Sequence, residues 1–165
     1  MRERALGYCC LGVALVFVGV NSASAQSPTT FSASYDFVDH ELSQTSNVGL
    51  HADVAKPFGM ITGVGEVGAN RFDGYTVVSL AAGGRYALEH VRRSRIESAV
   101  QVLFGMWRCG LCEVRAAFLQ PGVVIDYAKS RDLKIRVQFD IRRIFFNFNG
   151  ETAERLSIGA VWELK

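Results

Sequence analysis

The 165-residue sequence contains only three prolines and no low-complexity segment, which leaves no room for a linker and argues for one domain. Its formal net charge is +2, from 18 basic and 16 acidic residues, so it lacks the basic excess that nucleic-acid binding requires. No segment sustains a 3.6-residue apolar period, which excludes a helical bundle and a βαβ architecture. Cysteine is sparse: there are four, Cys9, Cys10, Cys109 and Cys112, too few for a disulfide scaffold.

The first pair falls in an N-terminal segment that reads as an export signal. Met1–Arg4 is short and net positive, residues 5–20 are almost wholly apolar, and Ser22-Ala23-Ser24-Ala25 supplies small residues at the cleavage positions. Residues 1–25 are expected to be a signal peptide, leaving 26–165 as the mature domain. The apolar run is shorter than the ~20 residues of a spanning helix. Tyr8 stands where a lipoprotein signal needs a small residue before cysteine, and cleavage would remove Cys9 and Cys10. Loss of Arg2, Arg4 and Glu3 brings the mature chain to 16 basic and 15 acidic residues.

What the remainder has is alternation. From Leu133 to Arg142 apolar and polar residues alternate without a break, with Leu133, Ile135, Val137, Phe139 and Ile141 on one face and Lys134, Arg136, Gln138, Asp140 and Arg142 on the other. That is the period of a strand. Similar patterns mark 30–39, 47–55, 60–70, 75–88, 96–107, 114–127 and 155–164. The connections between them are expected at His40–Ser46, Lys56–Gly59, Arg71–Gly74, Glu89–Arg95, Arg108–Glu113, Ala128–Asp132 and Phe146–Thr152, the last holding Asn149-Gly150. The pattern predicts eight antiparallel strands joined by short connections, an all-β up-and-down barrel that removes its own edges.

Alternation does not say which face is inside. Two features favour a membrane barrel with the apolar face toward lipid. The apolar stripe recurs on nearly every strand, and aromatics gather near strand ends, where interfacial girdles sit: Tyr35, Phe37, Phe72, Tyr75, Tyr86, Trp107, Tyr127, Phe145, Phe146 and Trp162. The polar faces carry both signs, including Asp36 and Asp53. Eight strands enclose a lumen just wide enough for side chains to fill. Glu66, Arg85, Glu97, Asp126, Arg136, Asp140 and Arg142 are therefore expected to pair across it. The opposite assignment is a soluble periplasmic barrel for a small apolar ligand, with Val137 and Phe139 lining a pocket and Arg136 exposed. The Gly-x-Trp signature of soluble lipid-carrying barrels is missing from the mature start.

Val64-Gly65-Glu66-Val67-Gly68, Gly83-Gly84-Arg85-Tyr86, Ala99 to Gly105 (AVQVLFG), Ile135-Arg136-Val137 and Leu156 to Trp162 (LSIGAVW) together resemble the small bacterial outer-membrane β-barrel family, OmpA/OmpX-like. The resemblance spans nearly the whole mature chain. It implies an eight-stranded transmembrane barrel in the bacterial outer membrane, monomeric, surrounded by outer-membrane lipids and inserted by the barrel-assembly machinery.

Chemistry-bearing groups are few. Cys109-Gly110-Leu111-Cys112 lies between two strands without the βαβ setting of a redox C-x-x-C; in an exported protein it reads as a disulfide pinning a loop tip. Zinc would need more ligands than His40 and these two cysteines supply. His51 lies on the polar face with Asp53, a pair able to orient a base, but no serine at the spacing of lipid A deacylases accompanies it near the C-terminus. Glu66, Glu97, Asp126 and Asp140 come with comparable numbers of arginines, the signature of ion pairing rather than acid–base catalysis. Phe145-Phe146-Asn147-Phe148 reads as girdle. The expectation is a non-catalytic structural or envelope-interaction component, with no cofactor, metal or small-molecule substrate. The alternatives are the soluble carrier and a lipid-modifying barrel enzyme.

Overall fold

The computed structural model describes residues 28–40, 47–72, 75–88, 95–109, 114–146 and 149–164. Period-two patterning over this length produces eight strands: β1 (Thr29–His40), β2 (Asn47–Phe58), β3 (Ile61–Phe72), β4 (Tyr75–Ala87), β5 (Ile96–Cys109), β6 (Arg115–Ala128), β7 (Leu133–Phe146) and β8 (Asn149–Leu164). Each pairs antiparallel with the next, and β8 returns to β1, closing the barrel. Residues 1–27, which carry the expected signal peptide with Cys9 and Cys10, lie outside the described residues.

The strands run further than the turn chemistry suggests. Lys56, Pro57 and Phe58 are not turn residues; they pair with Gly63, Thr62 and Ile61, and the turn contracts to Gly59-Met60. Gly59 has φ 68°, a conformation that a residue with a Cβ resists. Asn149-Gly150 likewise lies on β8, paired with Phe146 and Phe145, instead of within a loop. Closure overrides these local signals, because every backbone group in the wall needs a ladder partner. At Pro121, which has no N–H, the β6–β7 pairing skips Gln120 and Pro121 and then resumes in the same register at Gly122–Asp140.

The register fixes the shape. Crossing the barrel from Thr30 through Ala55, Val64, Gly83, Leu103 and Gln120, over to Arg142 and Ala153, the path re-enters β1 at His40, ten residues from its start. Ten residues of about 3.3 Å set against eight spacings of about 4.8 Å give a strand tilt of about 40°. On β5 the outward residues from Ile96 to Met106 carry no charge. That length, so tilted, covers about 25 Å along the axis, the height of a lipid-facing band.

The outer and inner faces then separate cleanly. Phe104 and Leu50 are 61% and 62% exposed, while Asp36, Gln120 and Asp140 are 0% exposed. Val137 and Phe139 face outward and Arg136 is buried, the reverse of what the soluble carrier requires. Of the residues expected to form the girdle, Tyr35, Phe37, Tyr75, Tyr86, Tyr127, Phe145 and Trp162 face outward and are exposed, although Tyr35 lies near the middle of β1 and not at its end. Phe31 stacks on Trp162 with ring centroids 6.0 Å apart. Trp107 is different. Its odd position on β5 turns it inward, where it is buried in the same cluster as Phe118 and Ile144. Proximity to a strand end suggested the girdle; parity decides the face. The side chains of Phe72 and Phe146, and residues Asn147 and Phe148, lie outside what is described.

Candidate functional site

Inward positions recur every second residue, and the ten-residue stagger brings together side chains that are distant in sequence. Toward the end of the barrel that holds the termini, Arg136 on β7 is the hub. Its Nε and Nη2 donate to Asp126 Oδ1 and Oδ2 at 2.7 and 2.8 Å, and its Nη1 donates to Asp53 Oδ2 at 2.8 Å. Ser32 Oγ donates to the same Asp53 oxygen at 2.6 Å. Arg85 reaches Asp53 only at 3.7 Å and donates through Nε and Nη2 to Gln101 Oε1 at 3.2 and 3.0 Å.

Gln101 carries the network upward, since its Nε2 donates to Asp140 Oδ1 at 2.9 Å. Here Arg155 on β8 is the second hub. Its Nη1 and Nη2 grip Glu66 Oε1 and Oε2 at 2.8 and 2.9 Å, and Nη2 and Nε hold Asp140 Oδ2 at 2.7 and 3.0 Å. Two-point grips of this kind fix geometry as well as charge. Gln138 Nε2 adds a bond to Asp140 Oδ2 at 2.8 Å. Gly122 faces Asp140 across β6–β7, and a Cβ there would collide with Asp140 Oδ1, so the carboxylate occupies space that only glycine leaves.

Beyond the second hub the lumen changes character. Arg142 donates to Gln120 Oε1 at 2.9 Å and lies over the Phe118 ring, 4.4 Å from its centroid. Phe118, Trp107, Ile144, Val77, Val38 and Ala153 then fill the barrel end remote from the termini, all buried. Gly105 makes room for this plug: an added Cβ would stand 2.5 Å from the Phe118 ring. At the opposite end the lumen opens into a vestibule of about 360 Å³ lined by Arg85, Arg136, Asp126, Glu97, Lys134 and Glu163, among others.

Of the seven charged residues named from sequence, Glu66, Arg85, Asp126, Arg136, Asp140 and Arg142 lie within this network. Glu97 does not. Its side chain is 38% exposed at the vestibule mouth, where Lys134 Nζ donates to its Oε2 at 2.8 Å. Arg155 is a further member that the alternation, followed only from residue 155, does not single out; β8 begins at Asn149, which makes Arg155 a mid-strand, mid-lumen residue. Its parity with Ser157 was the available signal.

The His51–Asp53 pairing also does not occur. His51 Nδ1 contacts Asp36 Oδ1 at 2.6 Å on the neighbouring strand, and Asp53 serves Arg136 and Ser32. Ser34 stands opposite His51 in register, but its Oγ has no hydrogen-bond partner among the described residues and all three groups are buried. This is not an accessible nucleophile. No three His, Cys, Asp or Glu side chains converge as metal ligands among the described residues. Cys109 is disulfide-bonded, and Cys112 lies outside the described residues.

A charged, packed interior within a continuous apolar exterior defines a membrane-spanning β-barrel. No protein-family model and no curated protein sequence matches the chain. Solved structures do. Neisserial surface protein A aligns over 86% of this chain and 100% of its own, with a TM-score of 0.66 at 11% identity. The N-terminal β-barrel domain of Pseudomonas aeruginosa OprF aligns over 83% of this chain and 99% of its own, with a TM-score of 0.57 at 10% identity. A de novo designed transmembrane β-barrel aligns over 88% and 100%, with a TM-score of 0.53 at 11% identity. The chain has the fold of small bacterial outer-membrane barrels, in line with the resemblance read from its motifs. That a designed barrel shares the fold separates fold from role.

Proposed function

We propose that the protein is an integral, non-catalytic component of the bacterial outer membrane, a structural or envelope-interaction barrel whose lumen is sealed to bulk flow. The observation that carries this reading is the lumen itself: a buried ion-pair network spanning the wall, capped by the Phe118–Trp107–Ile144 plug. Charge pairs held this closely occupy the path that a pore needs.

On this reading residues 1–25 are a cleaved export signal and 26–165 the barrel domain. The even strand count puts both termini in the periplasm, and the plugged end faces the exterior. The Cys109–Cys112 disulfide pins the β5–β6 loop, insertion uses the barrel-assembly machinery, and the protein is a monomer among outer-membrane lipids.

Two measurements test it. In fractionated cells the mature chain is expected in the outer-membrane extract, migrating faster on gels when unboiled. In planar bilayers the purified protein is expected to give no large, persistent conductance. Release with soluble periplasmic proteins overturns the location, and a stable porin-sized conductance overturns the sealed lumen.

A further inference from the structure

At the barrel end remote from the termini the outward apolar row ends on charge on five strands, at Asp39 on β1, Glu154 on β8, Arg71 on β3, Arg108 on β5 and Arg115 on β6. On β7 Arg143 interrupts the row just before Phe145, and all six charged residues are exposed. The signs are sorted around the rim. Asp39 and Glu154 are direct cross-strand partners on the β1–β8 seam, and Arg108 and Arg115 are direct partners on the β5–β6 seam.

Like charges placed directly opposite destabilise a strand pair. Every arginine of the lumen network is held by a carboxylate or an amide, whereas Arg108 and Arg115 form no salt bridge among the described residues. Arg143, on the next strand, donates to Thr152 Oγ1 at 2.7 Å and forms no salt bridge among the described residues. Among the described residues the Arg108–Arg115 pair thus has no counter-charge, and an anion from outside the chain can supply one. The pair sits immediately beyond the ~25 Å apolar band, at the depth where lipid headgroups begin, and it points away from the lumen.

Accepting the outer-membrane reading above, we propose that Arg108 and Arg115, assisted by Arg143, clasp the phosphate of a phosphorylated lipid headgroup in the outer leaflet. Opposed strand residues have Cβ atoms about 5 Å apart, so two guanidinium forks close on one phosphate from either side, each offering paired N–H donors to its oxygens. The dianion removes the repulsion between the arginines. The hairpin end is braced for this: Cys109, next to Arg108, is disulfide-bonded, and its N–H donates to Val114 O at 3.1 Å, next to Arg115.

The test uses the purified full chain in neutral detergent, titrated with bisphosphorylated lipid A and with the same lipid stripped of phosphate. The Arg108→Gln/Arg115→Gln variant is expected to bind the phosphorylated lipid about tenfold more weakly, with an unchanged unboiled gel shift. The stripped lipid should bind wild type and variant alike. Arg108→Lys/Arg115→Lys, which keeps charge but loses the forks, should fall between them. Equal affinity of wild type and glutamine variant overturns the proposal. Displacement by inorganic phosphate at matched concentration overturns the headgroup as its source. Cross-linked dimers that vanish in the glutamine variant, with lipid binding unchanged, would replace the headgroup with the Asp39–Glu154 pair of a second copy. Absence of the gel shift in the wild type overturns the barrel reading itself, and this proposal with it.

Discussion

On β7, Val137 and Phe139 are 42% and 43% exposed, while their neighbours Arg136 and Asp140 are 2% and 0% exposed. One residue's displacement along the strand moves a side chain from lipid to the most polar part of the molecule. The two faces also obey different energetics. Outside, each position is nearly independent, because an aliphatic group in lipid asks only to be apolar. Inside, each group depends on a partner from another strand, and Arg155 alone holds Glu66, 89 positions away in sequence, and Asp140. The outer face tolerates exchange of like for like; the inner face does not.

That contrast is broken most severely from within. Arg155→Leu leaves Glu66 and Asp140 buried without their principal cation, and removal of one partner from a buried pair costs about 3–5 kcal/mol. The urea midpoint of the heat-modifiable form should fall accordingly, and a midpoint within error of wild type would contradict the hub assignment. Phe118→Ala, in the apolar part of the same lumen, should cost about 3–5 kcal/mol through the cavity it leaves. It also opens the plug, so single-channel recordings should show conductance events that the wild type lacks. On the outer face, Val137→Arg should cost about 2–4 kcal/mol, read as impaired insertion into vesicles, whereas Val137→Leu should insert normally. The smallest effect is at the vestibule mouth. Glu97→Gln removes a half-exposed pair with Lys134 worth about 0.2–1 kcal/mol, and its urea midpoint should scarcely move.

The same contrast explains what the sequence disclosed. The face of each residue is a local property set by parity, so Arg136, Asp140, Glu66 and Arg142 were readable as a set lining one side of the wall. Who meets whom is a property of register and of the ten-residue stagger, which no single strand encodes. Parity puts His51 on one face with Asp53, two positions along its own strand, whereas its partner is Asp36 on β1. Trp107 lies near a strand end, yet its parity and not its neighbourhood sets its face. Arg155 becomes a mid-strand residue because closure extends β8 back to Asn149, beyond any signal in the segment itself. Turn residues such as Pro57 and Asn149-Gly150 are weak evidence wherever leaving the ladder would strand backbone groups in lipid.

The position of Arg155 on the last strand bears on the order of assembly. A wall of seven strands brings Glu66, Asp36 and Asp140 together with Arg142 only 3.7 Å from Glu66, while Arg155, which binds Glu66 and Asp140 directly, is still outside. Such a partial barrel is electrostatically frustrated as well as open at its seam, and docking β8 relieves both defects at once. Seam closure and charge neutralisation are therefore one event, and a barrel without β8 loses both.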